Sequence, residues 1–284
     1  MVGHWVADGV NKMSDDPAGA FKATYAELYD RHLVPMLFAP YAALLARRAK
    51  DLVPRDVLEI AAGTGVVTRE LARALPAGVT ITATDLNQPM IDVARTKPEM
   101  ANVAWRQADA LRLPFPDNSF DVIVCQFGVM FFPDKQACFQ EAVRVLRHGG
   151  TYLFVVWDDW KQMANAPLAI AAEVVGSLLG CDPLSLVNPA YHDEDTIRAD
   201  LGAAKFQPVT IERITRPATA ASAREAAIAA VHGSLIRTAI VAAEAERLGE
   251  ATDAVERAMR AALGDGPVAG STNALIVAAK RPLA

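Results

Sequence analysis

Between residues 56 and 157 the chain alternates short runs rich in β-branched residues with longer runs of helical periodicity. The strand-like runs are DVLEIAA, VTITATD, VAWRQAD, SFDVIVCQF and TYLFVVW, and helical runs such as VTRELARAL and KQACFQEAVRVLR separate them. Strands that alternate with helices predict an α/β fold whose mostly parallel sheet has helices on both faces. QPVTIERIT and NALIVAAKR predict a sixth and a seventh strand, so we expect a seven-stranded sheet.

Helical segments precede and interrupt this pattern. The runs AFKATYAELYD and YAALLARRAKDL predict two lead-in helices, separated by Pro35 and Pro40. An Ala-rich stretch between Arg216 and Gly266 is too long for a loop, and it predicts a helical cap inserted before the last strand. We therefore divide the chain into a mobile tail (1–16), a helical lead-in (17–52), a ligand-binding core (53–160), the rest of the core with substrate-side helices and the sixth strand (161–216), the cap (217–266) and the closing strand (267–284).

Composition excludes several classes of protein. A hydrophobic content of 52% with 21% charged residues indicates a globular chain, and a net charge of −5 leaves no basic surface for nucleic acid. Cys125, Cys138 and Cys181 show no metal-binding or disulfide pattern, so we expect reduced thiols and no metal. No signal sequence begins the chain, and no run reaches the roughly 18 apolar residues of a membrane span. We expect a soluble cytoplasmic protein of open oligomeric state, a homodimer being one option.

The segment VLEIAAGTGVVT places Gly63 and Gly65 between the end of a strand and the start of a helix. Glycine there permits a tight turn and close approach by a ligand, and the free amides of the new helix offer hydrogen-bond donors. Such a turn can hold the polar end of a nucleotide-like molecule. By itself the pattern is weak, because a purely structural turn would read the same way.

Two acidic residues follow at the ends of the next strands. Asp85 lies about twenty residues beyond the glycines, where a carboxylate can accept hydrogen bonds from ribose hydroxyls. Its alternative role is to cap the helix that begins near Gln88. Asp109 ends the third strand at the same sheet edge, where it can accept from an adenine amino group, and its alternative is a turn residue.

Together these segments resemble the class I S-adenosylmethionine-dependent methyltransferases, in the branch related to quinone-biosynthesis C-methyltransferases. VLEIAAGTG resembles their first motif, TATDLNQPMIDVA their acidic segment, DALRLPFPDNSFDVIVCQFGVMFFPD the next and RVLRHGGTYLF the last. YDRHLVPMLFAPYA and GDGPVAGSTNALIVAAKR are similar to the ends of this branch. The resemblance implies a Rossmann-like fold and methyl transfer from S-adenosylmethionine, with S-adenosylhomocysteine as product.

The chain departs from the family's pattern at two positions. Ala61 stands where the glycine-rich loop commonly begins with a glycine, which narrows the room beside the cofactor. His148 precedes Gly149 and Gly150 where the family commonly has proline. Neither change removes a hydrogen-bonding group, so neither argues against cofactor binding.

The resemblance also assigns residues to the cofactor. Glu59 and the Gly63 to Gly65 backbone would face its methionine end, Asp85 the ribose, Asp109 with the Ala110 amide the adenine, and Gln126 the transferable methyl group. Tyr29 would lie over the cofactor from the lead-in helix. The full predicted set is Tyr29, Glu59, Ala61, Gly63, Thr64, Gly65, Asp85, Leu86, Met90, Asp109, Ala110 and Gln126.

Methyl transfer from a sulfonium to a small-molecule acceptor is an in-line displacement that needs alignment and exclusion of water, so a catalytic residue need not exist. If the acceptor must lose a proton, His32, His192 and His232 are candidate bases, although each is more simply a structural or surface histidine. The aromatic rings of Tyr25, Tyr29, Phe127 and Phe131 could face the sulfonium, with core packing as the alternative. The apolar cap residues Leu235, Ile236, Ile240, Val255 and Met259 could line an acceptor pocket or form plain core.

Two other functions compete with this prediction. A nicotinamide dehydrogenase would share the strand, the glycine turn and the distal acid, but Thr68 replaces the third glycine of its motif. A protein of the same fold could instead bind the cofactor as a sensor or assembly partner without transferring methyl groups. Turnover distinguishes that alternative from an enzyme.

Overall fold

The computed structural model describes residues 25–160, 163, 166–187 and 191–283, and these fold into two compact units. The helical unit takes its described residues from 1–40, 159–190 and 215–273, and the sheet unit takes them from 41–158, 191–214 and 274–284. The predicted tail, 1–16, lies outside the described residues.

Helices and strands alternate as the sequence predicts. The first half contains α1 (Tyr25–Leu28), a π-helix (Tyr29–Phe38), α2 (Ala39–Asp51), β1 (Asp56–Ile60), α3 (Val66–Ala74), β2 (Thr80–Asp85), α4 (Gln88–Arg95), a 3-10 turn (Pro98–Met100), β3 (Ala104–Gln107), β4 (Phe120–Gln126) and a 3-10 turn (Val129–Phe131). The second half contains α5 (Lys135–Val145), β5 (Leu146–Trp157), α6 (Pro167–Leu179), a 3-10 turn (Pro183–Leu186), α7 (Glu194–Ala203), β6 (Val209–Ala220), α8 (Ala223–Gly233), α9 (Leu235–Glu244), a 3-10 turn (Ala245–Arg247), α10 (Leu248–Leu263) and β7 (Val268–Lys280).

The described strands form one sheet in the order β3-β2-β1-β4-β5-β7-β6. β1 pairs in parallel with β2 and β4, β2 with β3, and β4 with β5, whereas β7 runs antiparallel to β5. The predicted seven-stranded, mostly parallel α/β fold is confirmed. The chain builds outward from β1 to β3 and then returns to β4 on the other side of β1. Ligands of open α/β sheets bind at the carboxyl ends of the strands beside such a reversal.

The central strands are buried along most of their length. Val122 to Cys125 of β4 and Tyr152 to Val156 of β5 are each no more than 2% exposed. A parallel strand covered on both faces requires apolar side chains at successive positions, which is the pattern of DVIVC and YLFVV. Burial of these runs against the flanking helices fixes the register of the strands, and hence the positions of the residues at their carboxyl ends.

The lead-in lacks the break predicted at Pro35. That residue lies inside the π-helix, and helical residues continue to Asp51. Proline lacks the amide that a helix uses as a donor. In the π-helix the hydrogen bonds shift by one residue, so that the Ala39 amide donates to the Val34 carbonyl and the helix passes Pro35.

Two strands are longer than predicted. β6 continues to Ala220, so Arg216 to Ala220 belong to a strand and not to the Ala-rich helical stretch, and β7 begins at Val268 rather than Asn273. Pro217 lies within β6, which is one of the two edge strands of the described sheet. Edge strands tolerate proline, because an amide that faces outward has no partner strand to bond.

Small buried residues let α8 pack closely against a neighbouring helix in the helical unit. A Cβ atom on Gly233 of α8 would lie 3.1 Å from the Cβ of Leu33, so the glycine lets α8 approach the π-helix closely. The predicted cap residues Ile236, Ile240, Val255 and Met259 are fully buried. Among the described helices no single one is long and apolar enough to cross a membrane, although the bent pair Ala223–Gly233 and Leu235–Leu263 meets the length and composition requirements together.

Asp121 joins three segments at the amino-terminal edge of the sheet. Its carboxylate accepts from the backbone amides of Arg55 and Asp56 at 2.8 and 3.0 Å and from Arg147 at 2.7 Å. Partial burial acts to raise the pKa of Asp121, but the hydrogen bonds from Arg147 and the two amides outweigh it and hold the pKa below its ordinary value.

We predict that Asp121→Asn lowers the free energy of unfolding by about 1–3 kcal/mol at neutral pH, because one acceptor oxygen is lost. The carboxylate's contribution is present above the ordinary aspartate pKa of about 3.9 and is lost as the pH falls through the lower folded-state value. Urea titrations should therefore show the difference from wild type shrinking in acid. The exposed Asp51→Asn is the control, and equal stability of both variants at neutral pH would contradict the prediction.

Candidate functional site

The loop between β1 and α3 forms the tight turn that the two glycines predict. Ala61, Gly63 and Gly65 have positive φ angles of 54°, 56° and 83°. The Ala62 amide donates to the Thr84 carbonyl of β2, and the Gly65 amide donates to the Ala62 carbonyl, both at 2.9 Å. These bonds fold the loop against the carboxyl end of β2.

Ala61 fits at the start of the loop because a neighbouring segment makes room for it. A Cβ atom on Gly128, just after β4, would lie 2.6 Å from the Cβ of Ala61 and 2.7 Å from the sulfur of Cys125. Both distances are too short for real atoms, so only glycine fits at position 128. The alanine also adopts a left-handed φ that glycine would adopt at lower cost.

Asp85 binds the glycine loop directly. One carboxylate oxygen accepts from the Gly63 amide at 2.8 Å, and the other accepts from the Asn87 amide at 2.8 Å. Burial raises the pKa of Asp85, and the amides of Asn87, Gly63 and Leu86 lower it in part. Each oxygen keeps a second lone pair, so the carboxylate can still accept from a ligand. The alternative role of Asp85 as the helix cap is not seen, because α4 has Asn87 at its N-cap without a side-chain cap hydrogen bond and Asp85 bonds the amide of Asn87 itself.

Glu59 is a buried acid at the end of β1. Its side chain is 2% exposed, and the Thr68 hydroxyl donates to it at 2.6 Å. Burial raises the pKa of Glu59 to about 8, although the Thr68 bond lowers it, and nearby Asp85 raises it further. No cation is among the groups that shift this pKa. A positively charged ligand would therefore supply the counter-charge that Glu59 needs when ionised.

The end of β3 lies beside Asp85. The Ala108 amide donates to the Asp85 carbonyl at 3.0 Å, which brings Asp109 to the same sheet edge. Asp109 is exposed and accepts from the Leu111 amide at 2.9 Å, so it does form the predicted turn, while Ala110 is buried. Its second oxygen remains available for a ligand.

Aromatic residues follow the end of β4. Gln126 is half-buried, and the next residue, Phe127, has a φ of 56°. The Phe127 ring stacks on Trp157 with centroids 3.8 Å apart, and Tyr41 packs edge-on against both. Phe127 is therefore core rather than a free aromatic face, and it fixes the direction in which the chain leaves Gln126.

The remaining predicted site residues are more scattered. Leu86 is half-exposed after β2, and Met90 is half-buried in α4. Tyr29 lies in the π-helix of the helical unit, where its ring packs against Tyr25 and Phe38 at centroid distances of 6.2 and 5.5 Å.

The three candidate histidines have different surroundings, and His32 lies near enough to His232 to help lower its pKa. His232 is buried in α8, its Nε2 lies 3.0 Å from the Thr252 hydroxyl, and burial followed by nearby arginines lowers its pKa to about 4. Partial burial lowers the pKa of His32 in the π-helix, and His192 precedes α7 in the sheet unit. In the described ranges no cluster of three or more His, Cys, Asp or Glu residues is placed to hold a metal ion.

Sequence comparison finds matches to a family of enzymes. A family model of the methyltransferase domain matches residues 58–154. The ubiquinone/menaquinone biosynthesis C-methyltransferase UbiE of Serratia proteamaculans is 31% identical over 176 residues, which cover 56% of this chain and 69% of that protein. UbiE of Escherichia coli K12 is 30% identical over 178 residues, which cover 57% of this chain and 70% of that protein.

Solved structures show the same fold. The YcgJ protein of Bacillus subtilis superposes with a TM-score of 0.56 at 19% identity, covering 86% of this chain and 99% of that one. The [4+2]-cyclase SpnF superposes with a TM-score of 0.54 at 18% identity, covering 87% and 81%. At these identities the likeness concerns the fold alone.

The fold, the site and the sequence matches define a class I methyltransferase, an enzyme that uses S-adenosylmethionine. The chain belongs to the methyltransferase family that includes the UbiE C-methyltransferases. The predicted family, enzyme class and cofactor are thereby confirmed.

The residues at the carboxyl edge of the sheet fit this cofactor. S-adenosylmethionine carries an ammonium, a sulfonium and two ribose hydroxyls, and the edge offers the buried acids Glu59 and Asp85. The Thr64 hydroxyl is buried in the glycine loop without a hydrogen-bond partner among the described residues. A buried polar group of this kind needs a partner, which a bound ligand can supply.

Sequence reasoning missed three contributors to this edge. Gly128 makes room for Ala61, Thr68 donates to Glu59, and Lys97 donates to the carbonyl of Thr64. Only Thr68 carried a signal, because a hydroxyl in the first turn of α3 stands nine residues after a strand-end acid.

Glu59 also predicts a pH dependence of stability. In the unfolded chain this carboxyl ionises near its ordinary value of 4.5, whereas in the folded chain it stays protonated until about pH 8. The folded state binds more protons between these values, so stability falls as the pH rises through them and levels off above about pH 8.

Glu59→Gln removes this titration while it keeps an oxygen that can accept from Thr68. We expect the variant to gain stability relative to wild type between about pH 5 and about pH 8.5, as measured by urea unfolding at both pH values. The exposed Glu173→Gln is the control. A wild-type-minus-variant difference that does not change with pH would contradict the assignment.

Proposed function

We propose that this chain transfers the methyl group of S-adenosylmethionine to a small-molecule acceptor by in-line displacement. The observation that carries the proposal is the hydrogen bond from the Gly63 amide to the Asp85 carboxylate at the strand reversal of the sheet. That bond brings a glycine turn and a strand-end acid together, which is the arrangement that binds adenosine-containing ligands in such sheets.

Each part of the cofactor has a proposed partner. Asp85 accepts from the ribose hydroxyls through its remaining lone pairs, and Asp109 with the Ala110 amide holds the adenine. Glu59 and the loop residues Ala61, Gly63, Thr64 and Gly65 face the methionine end. Leu86, Met90 and Gln126 complete the part of the proposed site that lies in the sheet unit, and Tyr29 of the helical unit stays a prediction from the family resemblance.

The chemistry follows from alignment. When bound, the cofactor supplies a methyl group already activated by the sulfonium. The chain's contribution is to orient that end of the cofactor through the glycine loop and to exclude water, and orientation alone lowers such barriers by several kcal/mol. Gln126, where β4 ends, is proposed to lie beside the transferable methyl.

A dedicated base is not part of the proposal. His232 is ill suited because its pKa near 4 and its contact with Thr252 favour a neutral structural histidine. His32 and His192 stay weak candidates for an acceptor that must lose a proton. The relatives are named for C-methylation in quinone biosynthesis, so phenols and carbon acids belong in the first acceptor panel.

The same proposal includes a cytoplasmic location. Cys125 and Cys138 are buried free thiols and Cys181 is an exposed one, which suits a reducing compartment. The proposed partner is the small-molecule acceptor, without nucleic acid, and the oligomeric state stays open.

Turnover separates an enzyme that transfers methyl groups from a protein that only binds the cofactor. The alternative is worth testing because the [4+2]-cyclase SpnF has the same fold and is named for a different reaction. The purified chain is incubated with S-adenosylmethionine and a broad panel of phenols, carbon acids, amines and carboxylates. We expect S-adenosylhomocysteine to form with at least one acceptor. Tight binding of S-adenosylmethionine without product across the panel would favour the binding-only alternative.

We predict that Asp85→Ala weakens S-adenosylmethionine binding by about tenfold or more, because the ribose hydroxyls lose a charged acceptor and Gly63 loses its partner. Titration calorimetry on the folded variant measures the effect. Asp92→Ala, a change of the same kind on the exposed side of α4, is the matched control. Unchanged affinity in a folded Asp85 variant would refute the assignment.

A further inference from the structure

Lys97 reaches the glycine loop from a distant segment. It lies two residues beyond α4 and directly before the 3-10 turn Pro98–Met100. Its side chain is half-buried, and its Nζ donates to the Thr64 carbonyl at 2.9 Å, across 33 residues of sequence. Lysine side chains are ordinarily solvated, so a part-buried ammonium bonded to a loop carbonyl indicates a specific task.

The bond from Lys97 holds the main-chain carbonyl of Thr64. The amides of Ala62, Gly63 and Gly65 are bonded to Thr84, Asp85 and Ala62. Because a peptide unit is planar, holding the Thr64 carbonyl also fixes the plane that leads into Gly65. Lys97 therefore sets the orientation of Thr64 from the main-chain side, and the Thr64 hydroxyl stays without a partner in the described part of the chain.

The same segment also packs against Gly65. A Cβ atom at that position would meet the terminal methyl of Met100 at 2.8 Å and the Trp105 ring at 3.1 Å. Lys97 and Met100 together form what we call the loop brace. The brace holds successive residues of the loop, Thr64 through a hydrogen bond and Gly65 through van der Waals contact.

The charge of Lys97 suits the position. Hydrogen bonds from a cation to a carbonyl are stronger than neutral ones, so an ammonium holds the loop more firmly than an amide donor would. A preformed loop spares the ligand the cost of ordering it, and that saving appears as affinity.

We propose that Lys97 is a positioning residue, which holds Thr64 and the glycine loop in the conformation that binds the methionine end of S-adenosylmethionine. The inference rests on the proposed function of the loop. Lys97 does not touch the cofactor in this proposal and acts through the Thr64 carbonyl. Its loss should therefore affect ligands that possess the amino-acid end and spare ligands that lack it.

The test compares two ligands that differ in that end. S-adenosylhomocysteine carries the amino acid, and 5′-methylthioadenosine carries the same nucleoside with only a methylthio group. We expect Lys97→Met to weaken S-adenosylhomocysteine binding by about tenfold and 5′-methylthioadenosine binding by less than about twofold, as measured by calorimetry. Lys97→Arg, which keeps a charged donor, should restore most of the loss, and the exposed Lys50→Met should match wild type.

Each outcome decides the matter. Equal losses for the two ligands, or no loss for either, would overturn the proposal in favour of a general role in stability, which thermal unfolding of the variants would register. If Lys97→Met does not fold, Lys97→Gln is measured in the same way, and its ratio of the two affinities decides. If the wild-type chain binds neither ligand, the proposed function is overturned, and the role of Lys97 with it. If the wild-type chain binds both ligands and the Lys97 variant keeps the wild-type ratio of the two affinities, only the role of Lys97 is overturned.

Discussion

The hydrogen bond between the Gly63 amide and the Asp85 carboxylate is the constraint on which the site depends. It joins the loop after β1 to the end of β2, and the Ala108 amide extends the connection to β3 through the Asp85 carbonyl. The ends of β1, β2 and β3 are thereby tied to one another on one side of the point where the order of the sheet reverses. The apolar strands determine where these ends lie, and a small number of polar bonds determine how they face one another.

Burial makes this edge costly for the chain alone. Glu59 and Asp85 lie in surroundings that raise their pKa values, and the Thr64 hydroxyl lacks a partner within the described residues. Groups of this kind destabilise a folded protein unless something else compensates them. The site thus combines a hydrogen-bonded backbone turn with buried polar groups that the described residues leave partly unsatisfied.

Much of this arrangement could be predicted from the sequence, because it follows chain order. A glycine turn after the first strand and acids at the ends of the next two must meet at one edge of a parallel sheet. The contacts of Lys97 and Gly128 with the glycine loop could not be predicted. They depend on how separate loops pack, and no sequence pattern around either residue indicates such a contact. Pro35 misled the prediction because the hydrogen bonds around it take the π-helical pattern and the helix continues, and His232 carried no sign of its burial.

Ala61 and Gly128 are sterically coupled, because both positions border the same small volume. The methyl group that the loop carries at 61 occupies the volume that a side chain at 128 would need, so the pair behaves as one steric unit. A glycine at position 61 would release position 128 from this particular restriction, although the sulfur of Cys125 would still limit it. Substitutions at positions 61 and 128 should therefore be designed together. A larger side chain at either position changes the space that is left for the other, and with it the shape of the glycine loop.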